Sequence, residues 1–242
     1  MVFAVAVAQT NRETIPYGDD PSQYVELTLP AGSPRGVVVV IHGGFWKAAY
    51  DLSLGRPLAV DLVSHGWAAL NIEYRRVGNG GGVPATLEDV RAAIATLEDT
   101  DLDLTRVVTL GHSAGGHLAA WAGARVEVVT HVISQAGVLD LVAADHDGLG
   151  GGAVRAFLGH GATEADVEVD PRQHLPLGVP VWCVHGADDD TVPVSQSRDY
   201  VAAATAAGAQ ATMVEVAGDH FVVIDPTADA WRRTLAILDG IG

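Results

Sequence analysis

This chain has little of what would staple a fold, anchor it in a bilayer or draw it to nucleic acid. Its one cysteine, Cys183, excludes any intramolecular disulfide. That residue stands in the apolar run Val179-Pro180-Val181-Trp182-Cys183-Val184 and reads as a buried strand position. Basic residues are scarce: 14 Lys and Arg stand against 30 Asp and Glu, a formal net charge of −16. So acidic a chain is repelled by phosphate backbones and anionic headgroups, which sets aside nucleic-acid and membrane-surface partners. No apolar run reaches transmembrane length. The apolar opening, Met1 to Ala8, lacks the basic flank and the cleavage site of a secretory signal, so a cytoplasmic protein is expected. Also missing are H-E-x-x-H, a P-loop and a dinucleotide fingerprint. The glycines of Gly148-Leu149-Gly150-Gly151-Gly152 lack the strand-then-helix placement that phosphate binding needs. The expectation is an enzyme without metal or cofactor.

What is present is aliphatic. A 48% hydrophobic fraction with only 6% aromatic residues suits helices packed closely on a sheet. The 242 residues suffice for one core without staples, and no linker or repeat divides them, so 1–242 reads as a single domain. Val37-Val38-Val39-Val40-Ile41 is continuously apolar and β-branched, the pattern of a central strand buried on both faces. Further strands are expected at Tyr24–Leu29, Trp67–Ile72, Val107–Leu110, His131–Gln135, Val179–Val184 and Ala211–Val216. Between them, Leu58–His65 reads as a helix closed by Gly66, and Gln196–Ala207 as one closed by Gly208. Leu87–Leu97 reads as a helix with Thr86 as N-cap and Asp89 reaching back in a capping box. Thr227–Leu238 forms the last helix. Residues 1–23 carry no clear pattern beyond a turn at Pro16 to Pro21. Residues 139–178 read as a short, loose, cap-like insertion with one helix near Val154–Leu158. Alternating strands and helices predict an α/β fold, a mostly parallel sheet of about eight strands with helices on both faces.

The chemistry gathers around Gly111-His112-Ser113-Ala114-Gly115, which follows four β-prone residues and opens an Ala-rich helical segment. A serine on a sharp strand-to-helix turn needs small neighbours so that backbone can pass close by, and Gly111 and Gly115 supply them. The helix beneath points its positive end at Ser113, where charge develops in acyl transfer. A serine hydroxyl needs a base, and His220, just after the last strand, is the candidate. Asp188, Asp189 and Asp190 follow another strand, and one of them is expected to orient that histidine while the other two are solvated. Three carboxylates also suit calcium, but no spaced ligand loop accompanies them. His42-Gly43-Gly44 leaves the central strand, so the N–H of Gly44 or Phe45, with that of Ala114, is expected to form an oxyanion hole. His112 and His117 are too far apart for a one-face zinc pair, and His185 is expected to hold the acid loop. Trp46, Tyr74 and Phe157 are candidates for a substrate pocket.

The order Ser, Asp, His, with these motifs, resembles the α/β-hydrolases over nearly the whole chain from Tyr24 onward. Within that superfamily, H-G-G-F-W at His42 to Trp46 and G-H-S-A-G-G-H at Gly111 to His117 resemble the kynurenine formamidase and small carboxylesterase branch. The resemblance implies Ser113, Asp189 and His220 as the triad, Asp189 standing four residues before Pro193 as in the hydrolase pattern. It implies the loop at Gly43 to Phe45 as oxyanion hole. Phe45 stands where relatives of the hormone-sensitive-lipase type have a third glycine, which puts a ring at the site. The implied activity is hydrolysis of small esters or aryl-formamides through an acyl-enzyme, by a monomer or homodimer. A peptidase or acylaminoacyl hydrolase is the alternative enzyme, and a silent small-molecule-binding member of the fold is the alternative outside catalysis.

Overall fold

The computed structural model describes residues 12–241. Among them, eight strands form one sheet: β1 (Arg12–Pro16), β2 (Tyr24–Thr28), β3 (Val37–Ile41), β4 (Ala68–Ile72), β5 (Val107–His112), β6 (His131–Gln135), β7 (Val181–Gly186) and β8 (Ala211–Val216). Their spatial order is β1-β2-β4-β3-β5-β6-β7-β8. The pairs β1–β2 and β2–β4 are antiparallel and all others parallel. The parallel strands therefore release their carboxyl ends along one edge of the sheet, where the loops carrying reactive groups meet.

Among the described residues, seven α-helices cover the sheet: α1 (Arg56–Ser64), α2 (Ala85–Ala95), α3 (Ala114–Arg125), α4 (Leu141–His146), α5 (Leu149–Leu158), α6 (Ser195–Ala206) and α7 (Asp229–Gly240). Strand pleating sends alternate residues to opposite faces. Val37, Val39 and Ile41 join one core with residues of α2 to α6, while Val38 and Val40 join a second core with Leu58 and Leu62 of α1 and Trp231 of α7. All five residues of β3 are buried, as expected for a strand covered on both sides. Among the described residues no helix is long and apolar enough to cross a membrane.

Three expectations change. Arg12–Pro16, inside the patternless opening, is an edge strand made by its ladder with β2; four of its five residues are exposed. Thr86 does not cap α2. It lies inside the helix, donating from Oγ1 to Arg75 O (2.6 Å) and accepting from Gly82 N (3.0 Å). Asp89 is held instead by Arg75, at 2.8 Å from Nε and 2.7 Å from Nη2, and by Gln23. Residues 139–178 contain two helices rather than one, α4 and α5, and Gly150, Gly151 and Gly152 divide α5 with φ of 61°, 69° and 82°.

Candidate active site

β5 runs into Ser113, whose φ of 56° and ψ of −119° lie where an L-residue with a Cβ is strained. The surroundings over-determine that conformation. Ser113 N donates to Gln135 O at 2.8 Å, and its carbonyl accepts from Gly116 N at 2.9 Å, His117 N at 3.2 Å and Val138 N at 3.3 Å. A Cβ at Gly115 would strike the carbonyl oxygens of Ile41 and His42, so only glycine lets α3 start this close to β3. Ala114, the first residue of α3, has an N–H with no intrahelical acceptor at the positive end of the helix.

The aspartate run separates by burial. Asp188 and Asp190 are exposed, whereas the Asp189 side chain is fully buried. Asp189 Oδ1 accepts from Thr191 N (2.9 Å) and Val192 N (2.8 Å), and Oδ2 from His220 Nδ1 (2.6 Å). His185 Nε2 lies 3.1 Å from Asp189 Oδ2 and 2.9 Å from Val192 O. Both of these only accept, so Nε2 carries the proton and Nδ1 accepts from Ser197 Oγ at 2.7 Å. His185 thus holds the acid loop. Burial alone would raise the Asp189 pKa, but hydrogen bonds from His185, His220 and Val192 outweigh it and keep the carboxyl well below the usual range. With Nδ1 of His220 committed to Asp189, its Nε2 is left free to take a proton. His112 Nε2 donates to the His220 carbonyl at 2.9 Å, and burial first, then the nearby His220, pushes the His112 pKa down to about 3.

The loop after β3 runs through three consecutive left-handed residues, Gly44 (φ 110°), Phe45 (φ 52°) and Trp46 (φ 54°). It presses on the serine: a Cβ at Gly43 would lie 2.7 Å from His112 O and 3.0 Å from Ser113 Cβ. Gly44, Phe45, Tyr50, Leu54, His112, Ser113, Thr191, His220 and Phe221 line a cavity of about 240 Å³. Lys47, the only lysine in the sequence, donates from Nζ to Gly150 O at 2.7 Å beside the Phe45 ring.

The structure brings Ser113, His220, Gly44 and Phe45 to one cavity, with Asp189 behind His220. It does not bring Trp46, Tyr74 or Phe157 there. Trp46 and Phe157 are buried in the core, stacked at 4.6 Å, and Tyr74 is buried against His42 at 4.4 Å. Tyr50, Leu54, Thr191 and Phe221 take their place at the cavity. They come from loops and a short 3₁₀ turn without periodicity, and only the adjacency of Phe221 to His220 hints at its position.

Known proteins resemble this chain in sequence and in fold. The profile of the BD-FAE family matches residues 25–203. Esterase LipC of Mycobacterium tuberculosis is 32% identical over 121 residues, 47% of this chain and 30% of that protein. A kynurenine formamidase of Danio rerio is 31% identical over 119 residues, 48% of this chain and 40% of the relative. The chain thus spans less than half the length of these relatives. Among solved structures, esterase B of Lactobacillus rhamnosis, inhibited by a tributyrin phosphonate, superposes with a TM-score of 0.81 at 22% identity, over 96% of this chain and 85% of that one. The fold is that of the α/β-hydrolases.

Proposed function

We propose that this chain, which belongs to the BD-FAE family, is a serine hydrolase of small carboxylic esters or aryl-formamides working through an acyl-enzyme. The observation that carries the reading is the strained Ser113 sharing a cavity with His220, whose Nδ1 lies 2.6 Å from the buried Asp189 carboxylate. A serine is held in that conformation where its hydroxyl must stand clear of the backbone at the head of a helix.

Each step follows from the groups present. Ser113 Oγ bonds to the substrate carbonyl carbon while its proton passes to His220 Nε2. The carbonyl π electrons move to oxygen, and the oxyanion is met by the N–H of Ala114 and those of Gly44 and Phe45. Collapse re-forms the carbonyl and breaks the bond to the alcohol or amine, which leaves with the proton from His220. Water then repeats the sequence on the acyl-enzyme and frees Ser113. Asp189 stays ionised throughout, fixing the tautomer and stabilising the imidazolium. A cavity of about 240 Å³ suits a short acyl or formyl group better than a long chain.

The test is turnover of p-nitrophenyl acetate, p-nitrophenyl butyrate and N-formylkynurenine by the wild type and Ser113→Ala. The expected result is hydrolysis abolished by Ser113→Ala, with a fluorophosphonate labelling Ser113. Formamide turnover would identify a formamidase, and ester turnover alone a short-chain carboxylesterase. Absence of both turnover and labelling would overturn the proposal.

A further inference from the structure

The segment that offers Gly44 and Phe45 to the oxyanion runs from His42 to Asp51 without helix, its only strand-like contact a single bridge from Lys47 to Val77, and enters a 3₁₀ turn at Leu52. Its two feet meet over one buried ion pair. Glu73, just past β4, is 3% exposed at its side chain and Arg76 is 6% exposed, and their charged groups are in direct contact. Glu73 Oε2 accepts from Leu52 N at 3.0 Å, and Oε1 accepts from Tyr74 N at 2.9 Å. At the other foot, His42 Nδ1 lies 2.8 Å from Gly43 O. A carbonyl only accepts, so Nδ1 holds the proton and Nε2 is left as an acceptor. Arg76 Nη1, at 3.4 Å, is its donor, and Glu73 Oε1, which contacts the same Nη1, lies 3.2 Å from that His42 nitrogen. Tyr74 completes the foot by donating from its hydroxyl to His42 O at 2.7 Å.

Stability is a poor reason for such a pair, since a buried ion pair is often matched or bettered by apolar residues of the same volume. Geometry is a better one. Phe45 and Trp46 both hold positive φ, and such a conformation persists only where the surroundings impose it. We propose that Glu73 and Arg76 are positioning residues of the oxyanion hole, clamping His42 and Leu52 so that the N–H groups of Gly44 and Phe45 stay aimed beside Ser113. This rests on the serine-hydrolase reading. Neither residue touches substrate. Their effect therefore falls on the tetrahedral state and leaves the planar substrate nearly untouched.

Glu73→Asp keeps the charge opposite Arg76 but withdraws the carboxylate by one methylene from Leu52 N. With p-nitrophenyl butyrate, kcat is expected to fall about 10- to 100-fold with KM within about twofold, a displaced donor costing less than a deleted one. Affinity for a trifluoromethyl ketone, whose serine adduct carries the oxyanion, should fall in parallel. Leu52→Pro deletes the one N–H that Oε2 accepts, at the first position of a 3₁₀ turn where proline is tolerated. Against Leu52→Ala as packing control it should lose at least a further tenfold in kcat. Melting temperature is recorded for each variant, and should Glu73→Asp not fold, the Leu52 pair decides alone. Wild-type kcat and ketone affinity in Glu73→Asp, or equal kcat in the two Leu52 variants, would overturn the positioning role while leaving the hydrolase reading intact. A wild type that neither turns over ester nor labels at Ser113 would remove both.

Discussion

Asp189→Asn tests the orientation of the base most directly. The native carboxylate receives four N–H groups: Thr191 and Val192 on Oδ1, His185 and His220 on Oδ2. An asparagine has one acceptor oxygen. If that oxygen stays with the two backbone amides, its NH₂ faces two imidazole N–H donors, and His220 escapes the clash by moving its proton to Nε2. An Nε2–H cannot accept the proton of Ser113, so kcat should fall by about 10⁴-fold, or ~5 kcal/mol in the barrier. Losing charge-assisted hydrogen bonds at a fully buried side chain should lower stability by about 3 kcal/mol, some 6–12 °C in Tm for a chain of this size. The depressed pKa also fixes a sign. Asp189 adds stability above the unfolded carboxylate range, and that contribution is lost as pH falls below it toward the folded value. The variant should therefore show a shallower loss of stability between about pH 4 and pH 2. Stopped-flow ester hydrolysis across pH, with thermal melts, reads all three. An Asp189→Asn rate within tenfold of wild type at pH 7 would refute the orienting role.

Gly43→Ala places a methyl 3.0 Å from Ser113 Cβ and should reduce ester kcat by about 10²-fold while the melt shows a folded protein. Phe221 is 58% exposed at the cavity, so Phe221→Ala should leave Tm within about 2 °C yet raise KM severalfold for aryl over alkyl esters. Burial pushes Asp170 up to about 7 despite backbone hydrogen bonds from Arg172 and Leu141. The folded protein then holds a proton that the unfolded chain has released, so stability falls as pH rises from about 4 to about 7. Asp170→Asn should flatten that slope, and an unchanged slope in thermal melts at pH 5 and pH 8 would contradict the assignment.

Where structure follows from local demands, the sequence was readable. β3 announced itself because burial on both faces admits only apolar residues, and the turn at Ser113 because its close contacts admit only small neighbours. β1 was silent, since Arg-Glu-Thr-Ile-Pro at an edge is held by its ladder to β2 and buries almost nothing. Direction was the second blind spot. Phe45 and Trp46 are adjacent, yet one lines the cavity and the other stacks on Phe157 in the core. The choice is made by consecutive positive φ values that no periodicity encodes. Thr86 and Asp89 fitted a capping box, but Arg75, a loop residue before α2, recruits both: its carbonyl takes the threonine and its guanidinium the aspartate. Glu73 and Arg76 escaped because His42 and Leu52, which they hold beyond each other and Tyr74, lie on another loop.

The place of the single lysine bears on how this protein can be handled. Lys47 carries the only side-chain amine in the sequence, half-buried and two residues beyond Phe45. Amine-directed coupling to a resin, a sensor chip or a dye can therefore attach through side chains at one point only, beside Phe45, which lines the cavity. Such attachment would replace the Lys47 ammonium that bonds Gly150 O with a neutral amide and set the support beside Phe45. The thirty acidic side chains, with Asp19, Glu98, Asp103, Asp225 and Asp239 among the exposed ones, offer many attachment points in exchange. Carboxylate chemistry spreads the support over many orientations, whereas coupling through the side-chain amine allows one.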